Sequence, residues 1–175
     1  MKNKLKILLI ELDSKMVKKR YVQWMNSREI VKFTEQRFKK HKINDVKKFV
    51  ISKKRSKTEF LYGIFINVNK NKTHIGNVKL GPIDLNHKTA EISYFIGDKD
   101  FHNKGLGALA IKEMLKLSKK KFKLRKIIAG VYSNNIASKK VLLKNKFKLE
   151  GILKKQFIYK KKRINKLIYG KFLNK

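Results

Sequence analysis

The chain has 175 residues, of which 42% are hydrophobic, with no cysteine and one proline, Pro82. That is one domain with enough apolar residues for a real core, and it excludes disulfides, thiolate catalysis, Cys-type zinc sites and proline-rich or collagen-like classes. Lys+Arg total 47 against 12 Asp+Glu, a formal net charge of +35. Only Arg20, Arg28, Arg37, Arg55, Arg125 and Arg163 are arginine. Arginine is the residue suited to bidentate recognition of bases and phosphates, and the excess here is lysine. Lys, Asn and Ile are the products of A/T-rich codons, so coding bias accounts for the balance without a specific nucleic-acid partner. A lysine surface still attracts anionic ligands.

In chain order, residues 5–10 read as a short strand. The four apolar residues Ile7-Leu8-Leu9-Ile10 are followed by Glu11 and Asp13, too short a run for a signal peptide or a membrane span, so no membrane is expected and a cytoplasmic location is. Asp13-Ser14 is expected to start a helix carrying Val17, Tyr21 and Trp24 on one face. A short turn follows from Ser27 to Phe33. A further helix begins at Asn44-Asp45, with Val46, Phe49 and Val50 inward. Phe60–Val68 has the composition of a buried strand, with a turn at Asn69–Lys72. Strands are then expected from His74 to about Leu80, where Gly81-Pro82 bends the chain, and from Ala90 to Ile96, completing an antiparallel meander.

A long helix follows residues 97–107, its inward stripe being Leu106, Leu109/Ala110, Met114 and Leu117. A strand at Lys126–Val131, a helix at Asn135–Asn145, a strand at Phe147–Ile158, a turn at Lys160–Lys162 and a strand at Ile164–Phe172 complete an α/β (α+β) layer fold in a single domain.

The chemically informative segment is Lys104-Gly105-Leu106-Gly107, between a strand and the long helix. Two glycines allow close backbone approach, and a helix start offers unpaired amides to a phosphate. The same pattern also serves an empty tight turn. The common Gly-rich phosphate motifs are absent. His41, His74 and His87 lack metal-ligand spacing, and no metal is expected.

The ordered set of segments resembles the GCN5-related N-acetyltransferase (GNAT) superfamily, in the branch similar to ribosomal-protein alanine acetyltransferases. The segments are Ala90-Glu91-Ile92-Ser93-Tyr94-Phe95-Ile96-Gly97, His102-Asn103-Lys104-Gly105-Leu106-Gly107, Asn135-Ile136-Ala137-Ser138, Lys144-Asn145-Lys146-Phe147 with Glu150-Gly151, and Trp24-Met25-Asn26-Ser27-Arg28-Glu29-Ile30. The stretch from His74 to Ile83, with Ile96 to Lys99, is further similar to acetyltransferases acting on nucleotide-linked amino sugars.

The resemblance implies a GNAT fold, a mixed, mostly antiparallel central sheet flanked by helices, with acetyl-CoA as acyl donor. It implies donor contacts from Phe95, Ile96, Gly97, His102, Asn103, Lys104, Gly105, Leu106, Gly107, Ala108, Asn135 and Ser138. The acceptor side would use Asn26, Glu29, Phe33, Glu35, Gln36, Arg37 and Glu91.

Three departures stand out. His102 replaces a Gln, Arg or Trp, Lys146 replaces a Gly and is expected to change the helix end, and Leu142 replaces a tyrosine that protonates the leaving thiolate.

Direct transfer to an amine needs a base, an oxyanion donor and a proton for the thiolate. Glu91, directly or through water, is the candidate base, or else an ordinary strand glutamate. Ser138 is the candidate donor to the thiolate, or else a helix-cap serine. The expected acceptor is a small-molecule amine, most readily a nucleotide-linked amino sugar; the alternatives are a protein N-terminus or, from another class, non-enzymatic polyanion binding. A homodimer is a candidate assembly.

Overall fold

A computed structural model describes residues 6–68 and 71–173. The expected strand residue Leu5 and the turn residues Asn69 and Lys70 lie outside the described residues. Strand β1 (Ile7–Glu11) is followed by a 3-10 turn at Ser14–Met16. Asp13 caps that turn, its carboxylate accepting from the Lys15 amide at 3.0 Å. The helix expected from Asp13-Ser14 therefore starts later, as α1 (Lys19–Asn26). Val17 precedes it in extended backbone, yet Val17, Tyr21 and Trp24 are all buried. Helix α2 (Arg28–Val31), a 3-10 turn at Glu35–Phe38 and helix α3 (Ile43–Arg55) complete the first layer.

The meander comprises β2 (Phe60–Val68), β3 (Asn71–Asp84) and β4 (Thr89–Ile96). β3 does not end at Gly81-Pro82 as expected. Its register with β4 shifts between Leu80 and Ile83, and this bulge absorbs a proline that cannot donate to the ladder. Helix α4 (Leu106–Lys120), β5 (Lys126–Tyr132), α5 (Ile136–Lys144), β6 (Lys148–Tyr159) and β7 (Lys162–Phe172) follow. The sheet order is β1-β2-β3-β4-β5-β7-β6, and β4–β5 is its parallel pair.

Alternation along the strands sorts side chains into two cores. Ile64, Ile66, Ile92, Ile127 and Val131 pack with Leu106, Ala110, Ile111 and Met114 of α4 and with Leu142 of α5. On the other face Leu61, with Phe65 and Phe95 against it, packs on Tyr21 and Trp24 of α1 and Val46 and Val50 of α3. Expected stripe residues Leu109 and Leu117 are only partly buried; Ile111, one turn on from Ala108 and Gly107, is fully buried instead.

The end of α5 corrects one expectation. Lys146 keeps the left-handed conformation (φ 62°) that a glycine would supply, and the Lys146 and Phe147 amides donate to the Leu143 and Leu142 carbonyls at 2.8 and 3.1 Å. This is a complete Schellman closure, so the helix end is unchanged by the lysine. Among the described residues no helix is long and apolar enough to cross a membrane.

Candidate active site

β4 and β5 pair only through Thr89↔Lys126, Ala90↔Ile127 and Glu91↔Ile128. β4 continues to Ile96 and β5 to Tyr132, so beyond Glu91 the two parallel strands diverge into a wedge. Along it the β4 backbone has no β5 partner, leaving groups for an extended amide-bearing ligand to pair with. Glu91 sits on the last rung, at the apex. It is exposed and, among the described residues, makes no hydrogen bond or ion pair.

At the open end of β4, the Gly97 and Asp98 amides both donate to the Ile75 carbonyl, at 2.8 and 3.1 Å. This anchors the start of the loop to β3. The His102 imidazole Nε2 lies 2.9 Å from the Ile96 carbonyl oxygen, which it meets as a donor. The side chain that replaces the usual Gln or Arg thus ties the loop to the strand end.

Asn103 and Gly105 take left-handed conformations, φ 56° and 73°. Gly105 is the residue before α4 and supplies no side-chain cap, so the first amides of the helix stay available, with Lys104 exposed beside them. Leu106 and Ala108 are buried beneath and hold the turn to the core. An anion at this position meets unpaired amides and the positive end of the helix dipole.

Across the wedge, Asn135 caps α5, its Oδ1 accepting from the Ser138 amide at 3.1 Å. Ser138 of α5 is close enough to the Tyr94 phenol of β4 to influence it. The Tyr94 ring also lies against Gly107, where an added β-carbon would stand 2.9 Å from it. Burial pushes the Tyr94 phenol up to about 12, and the Ser138 contact pulls the other way. Leu142 is buried in the main core and offers no polar atom.

The acceptor-side residues divide into two groups. Asn26 staples α1 to the segment before α3, donating to the His41 carbonyl at 2.8 Å and accepting from the His41 amide at 2.9 Å. Glu29 pairs with Lys99 of the loop after β4, and this lysine holds the exposed carboxyl below its usual range. Beside Lys99 a cavity of about 290 Å³ is lined by Arg20, Trp24, Ser27, Ile30 and Gly97, among others.

The second group reaches the far bank of the wedge. The Arg37 guanidinium donates to the Lys32 carbonyl at 2.9 Å, the Tyr132 hydroxyl at 2.8 Å and the Ile158 carbonyl at 2.5 Å. The Tyr132 hydroxyl donates to Glu35 Oε1 at 2.6 Å. Its phenol is pushed up to about 12, first by burial and then by the Glu35 carboxylate, against the opposing pull of Arg37. Phe33 stacks on Tyr159 with centroids 5.0 Å apart, and Tyr132 stacks on Phe157 at 3.9 Å. Gln36 is half-buried on the same turn. Tyr132, Phe157 and Tyr159 were not singled out by the sequence pattern, and Tyr94 and Lys99 stood in quoted segments without a site role. For the first three the signals were a tyrosine ending the β5 run and the aromatics at 157 and 159, two apart on one strand face.

The wedge between the parallel strands thus has the Glu91 carboxylate on its last rung and an uncapped helix start at its open end, with unpaired backbone groups between them. A family model described as an acetyltransferase (GNAT) domain matches residues 7–148, so the chain belongs to the GNAT acetyltransferases and is an enzyme of that class. The whole fold is shared with solved structures. Spermidine N-acetyltransferase from Vibrio cholerae, in complex with CoA and spermine, superposes with a TM-score of 0.83 at 20% identity, covering 95% of both chains. The microcin self-immunity acetyltransferase MccE, in complex with acetyl-CoA and AMP, gives 0.79 at 23% identity, over 95% of this chain and 92% of that one. The ribosomal-protein alpha-N-acetyltransferase RimL, in complex with coenzyme A, gives 0.82 at 17%, over 95% and 93%. No curated protein matches the chain.

Proposed function

We propose that this enzyme transfers an acetyl group from acetyl-CoA directly to a primary amine on a nucleotide-linked amino sugar. The observation that carries the donor reading is the break of the β4–β5 ladder after Glu91↔Ile128 beside the uncapped start of α4. The pantetheine would run along the free edge of β4, its amides pairing with backbone of Phe95 and Ile96. The pyrophosphate would rest on the amides of residues 103–108. Asn135, whose Oδ1 is committed to the α5 cap, keeps its amide nitrogen for the same arm.

The acceptor amine must be neutral to attack. Glu91 takes its proton, directly or through a water. The amine then adds to the thioester carbonyl, and a backbone N–H of the open β4 edge receives the oxyanion. Ser138 lies on the side where the thiolate departs. Binding both reactants in one wedge supplies a large part of the rate, and no covalent enzyme intermediate is needed.

The acceptor's class follows from charge. A chain of net charge +35 attracts an anionic acceptor and repels a polycation. The solved neighbour described with AMP supports a nucleotide-bearing acceptor on this fold. The test is acetyl-CoA turnover against a panel of nucleotide-linked amino sugars, polyamines and N-terminal peptides. Turnover led by the amino sugars is expected. Turnover confined to peptides or polyamines rejects the acceptor, and absence of acetyl-CoA binding rejects the whole reading.

A further inference from the structure

Ile92, Ile127, Ala129 and Val131 point into the core beneath α4 and α5. By alternation, Glu91, Ser93, Ile128, Gly130 and Tyr132 lie on the opposite face, the one that packs on α1 through Phe95. The last β4–β5 rung joins Glu91 to Ile128. Gly130 is the next residue of this face on the β5 bank of the wedge, and it is open to solvent. A β-carbon built on it would stand 2.5 Å from Lys166 Cε and 3.3 Å from Nζ. Lys166 of β7 is the cross-strand partner of Tyr132. Its stem therefore folds back along β5 and brings the ammonium over Gly130. Only a residue without a side chain lets the lysine lie there.

Lys166 is half-buried and, among the described residues, its ammonium makes no hydrogen bond or ion pair. Lys79 and Lys126, on the same face, are each matched, to Glu59 at 2.6 Å and to Glu150 at 2.7 Å. The Arg37 guanidinium is engaged by three protein oxygens. Lys166 Nζ instead stands 5.8 Å from the centre of the Phe157 ring, against which Tyr132 stacks. An aromatic wall keeps water from that side of the cation, so an anion reaching it feels a stronger field than in open water.

The acceptor face of the wedge thus carries two unmatched charges of opposite sign, the Glu91 carboxylate and the Lys166 ammonium. The rung of Glu91 and the level of Gly130 are two residues apart, about 6.6 Å of strand rise. That is close to the span of a pyranose ring from an amine-bearing carbon to the anomeric oxygen.

We propose that Lys166 binds the sugar-linked phosphate of the acceptor, positioned by Gly130, and so selects phosphorylated amino sugars over free ones. This rests on the amino-sugar reading above and names the residue that recognises the phosphate. The amine lies toward Glu91 and the phosphate toward the open end of the wedge. A lysine serves a phosphate as a point charge, and the same charge repels a cationic acceptor.

The experiment measures kcat and KM for a nucleoside diphosphate-linked amino sugar and for the same amino sugar without phosphate. It uses the full chain and the variants Lys166→Met, Lys166→Arg and Gly130→Ala, with acetyl-CoA affinity read by calorimetry. Wild type is expected to favour the phosphorylated acceptor. Lys166→Met keeps an apolar stem over Gly130 and removes the charge. The ratio of the two kcat/KM values then falls about 10–100-fold, mainly through KM, as for a lost charge-assisted contact. Lys166→Arg recovers most of the ratio. Gly130→Ala keeps the charge but displaces it, and lowers the same ratio. A ratio unmoved in Lys166→Met overturns the proposal, as does a fall that Lys166→Arg leaves unrestored or one that accompanies lost acetyl-CoA affinity. If Gly130→Ala fails to fold, the two Lys166 variants decide. A wild-type enzyme that acetylates both sugars equally overturns the phosphate role and leaves the amino-sugar reading standing. One that acetylates neither defeats that reading, and the phosphate role with it.

Discussion

The indole of Trp24 lies directly on Gly97, so that a β-carbon built on that glycine would stand only 2.2 Å from the ring. Trp24 belongs to α1 and Gly97 follows β4 directly, so this contact joins α1 to the end of the strand that borders the wedge. Its environment is aromatic throughout, with Tyr21, His74 and Phe95 around the indole and Arg20 over its face at 5.6 Å. Gly97→Ala is expected to push the indole out of register and cost about 1–3 kcal/mol, as overpacking does. Thermal unfolding should show a Tm lower by roughly 3–10 °C for a chain of this size. An unaltered Tm would mean that the contact yields without cost.

The two loop glycines should fail in different ways. At Gly105 an added side chain meets nothing within 4 Å, so the cost is the left-handed backbone, about 1–2 kcal/mol. At Gly107 it meets the Tyr94 ring. The double variant Gly105→Val with Gly107→Val should remain folded by circular dichroism and lose acetyl-CoA binding by calorimetry. Retained affinity would take residues 103–108 out of the donor site.

Glu91→Gln keeps the size of the side chain at the wedge apex and removes the carboxylate proposed as the base. The expected result is a kcat lower by about 100-fold or more, an acetyl-CoA affinity near wild type, and loss of the low-pH limb of the rate profile. Wild-type turnover with an unchanged profile would move the search to Glu35 or a water chain.

His74 makes stability depend on pH. Its ring is stacked on Phe65 at 4.8 Å, and Nε2 faces two acceptors, the Gly76 carbonyl at 3.0 Å and Asn77 Oδ1 at 2.8 Å. That nitrogen therefore carries the proton of a neutral imidazole. Burial is the largest cause that pulls its pKa below 6.5, against the raising effect of its hydrogen bonds to Asn77 and Gly76. The sign follows from linkage: below about pH 6.5 the unfolded chain binds a proton that the folded one refuses, so stability is full above that pH and declines as pH falls toward the depressed value. Tm should drop between pH 7 and pH 5.5, and His74→Gln should flatten that slope whatever its own Tm. Equal slopes in both proteins would clear His74 of the effect.

Much of this molecule was written in local pattern. The apolar run Phe60–Val68 became β2 with the same bounds, because β-branched and aromatic residues in an unbroken run have few other places to be buried. The glycine pair opening α4 was equally plain, since the need for a positive φ at Gly105 is a property of one residue. Pattern failed where a local signal had two outcomes. Asp13 caps a 3-10 turn, and the side chain that satisfies one amide there does not say how long the turn will run. Pro82 bends a strand or is absorbed by a bulge according to the register of its neighbour.

The candidate site was legible only in tertiary structure. The wedge exists because β4 and β5 pair for three rungs, 89 with 126 through 91 with 128, and then diverge, and no residue type encodes a pairing that stops. The packing of the Tyr94 ring on Gly107 and the Arg37 latch onto Tyr132 and Ile158 likewise join elements far apart in the chain. The sequence alone determined which residues could bury, turn or carry charge. Which of them meet depends on the register and twist of a sheet assembled from the whole chain, and those are properties of long-range pairing.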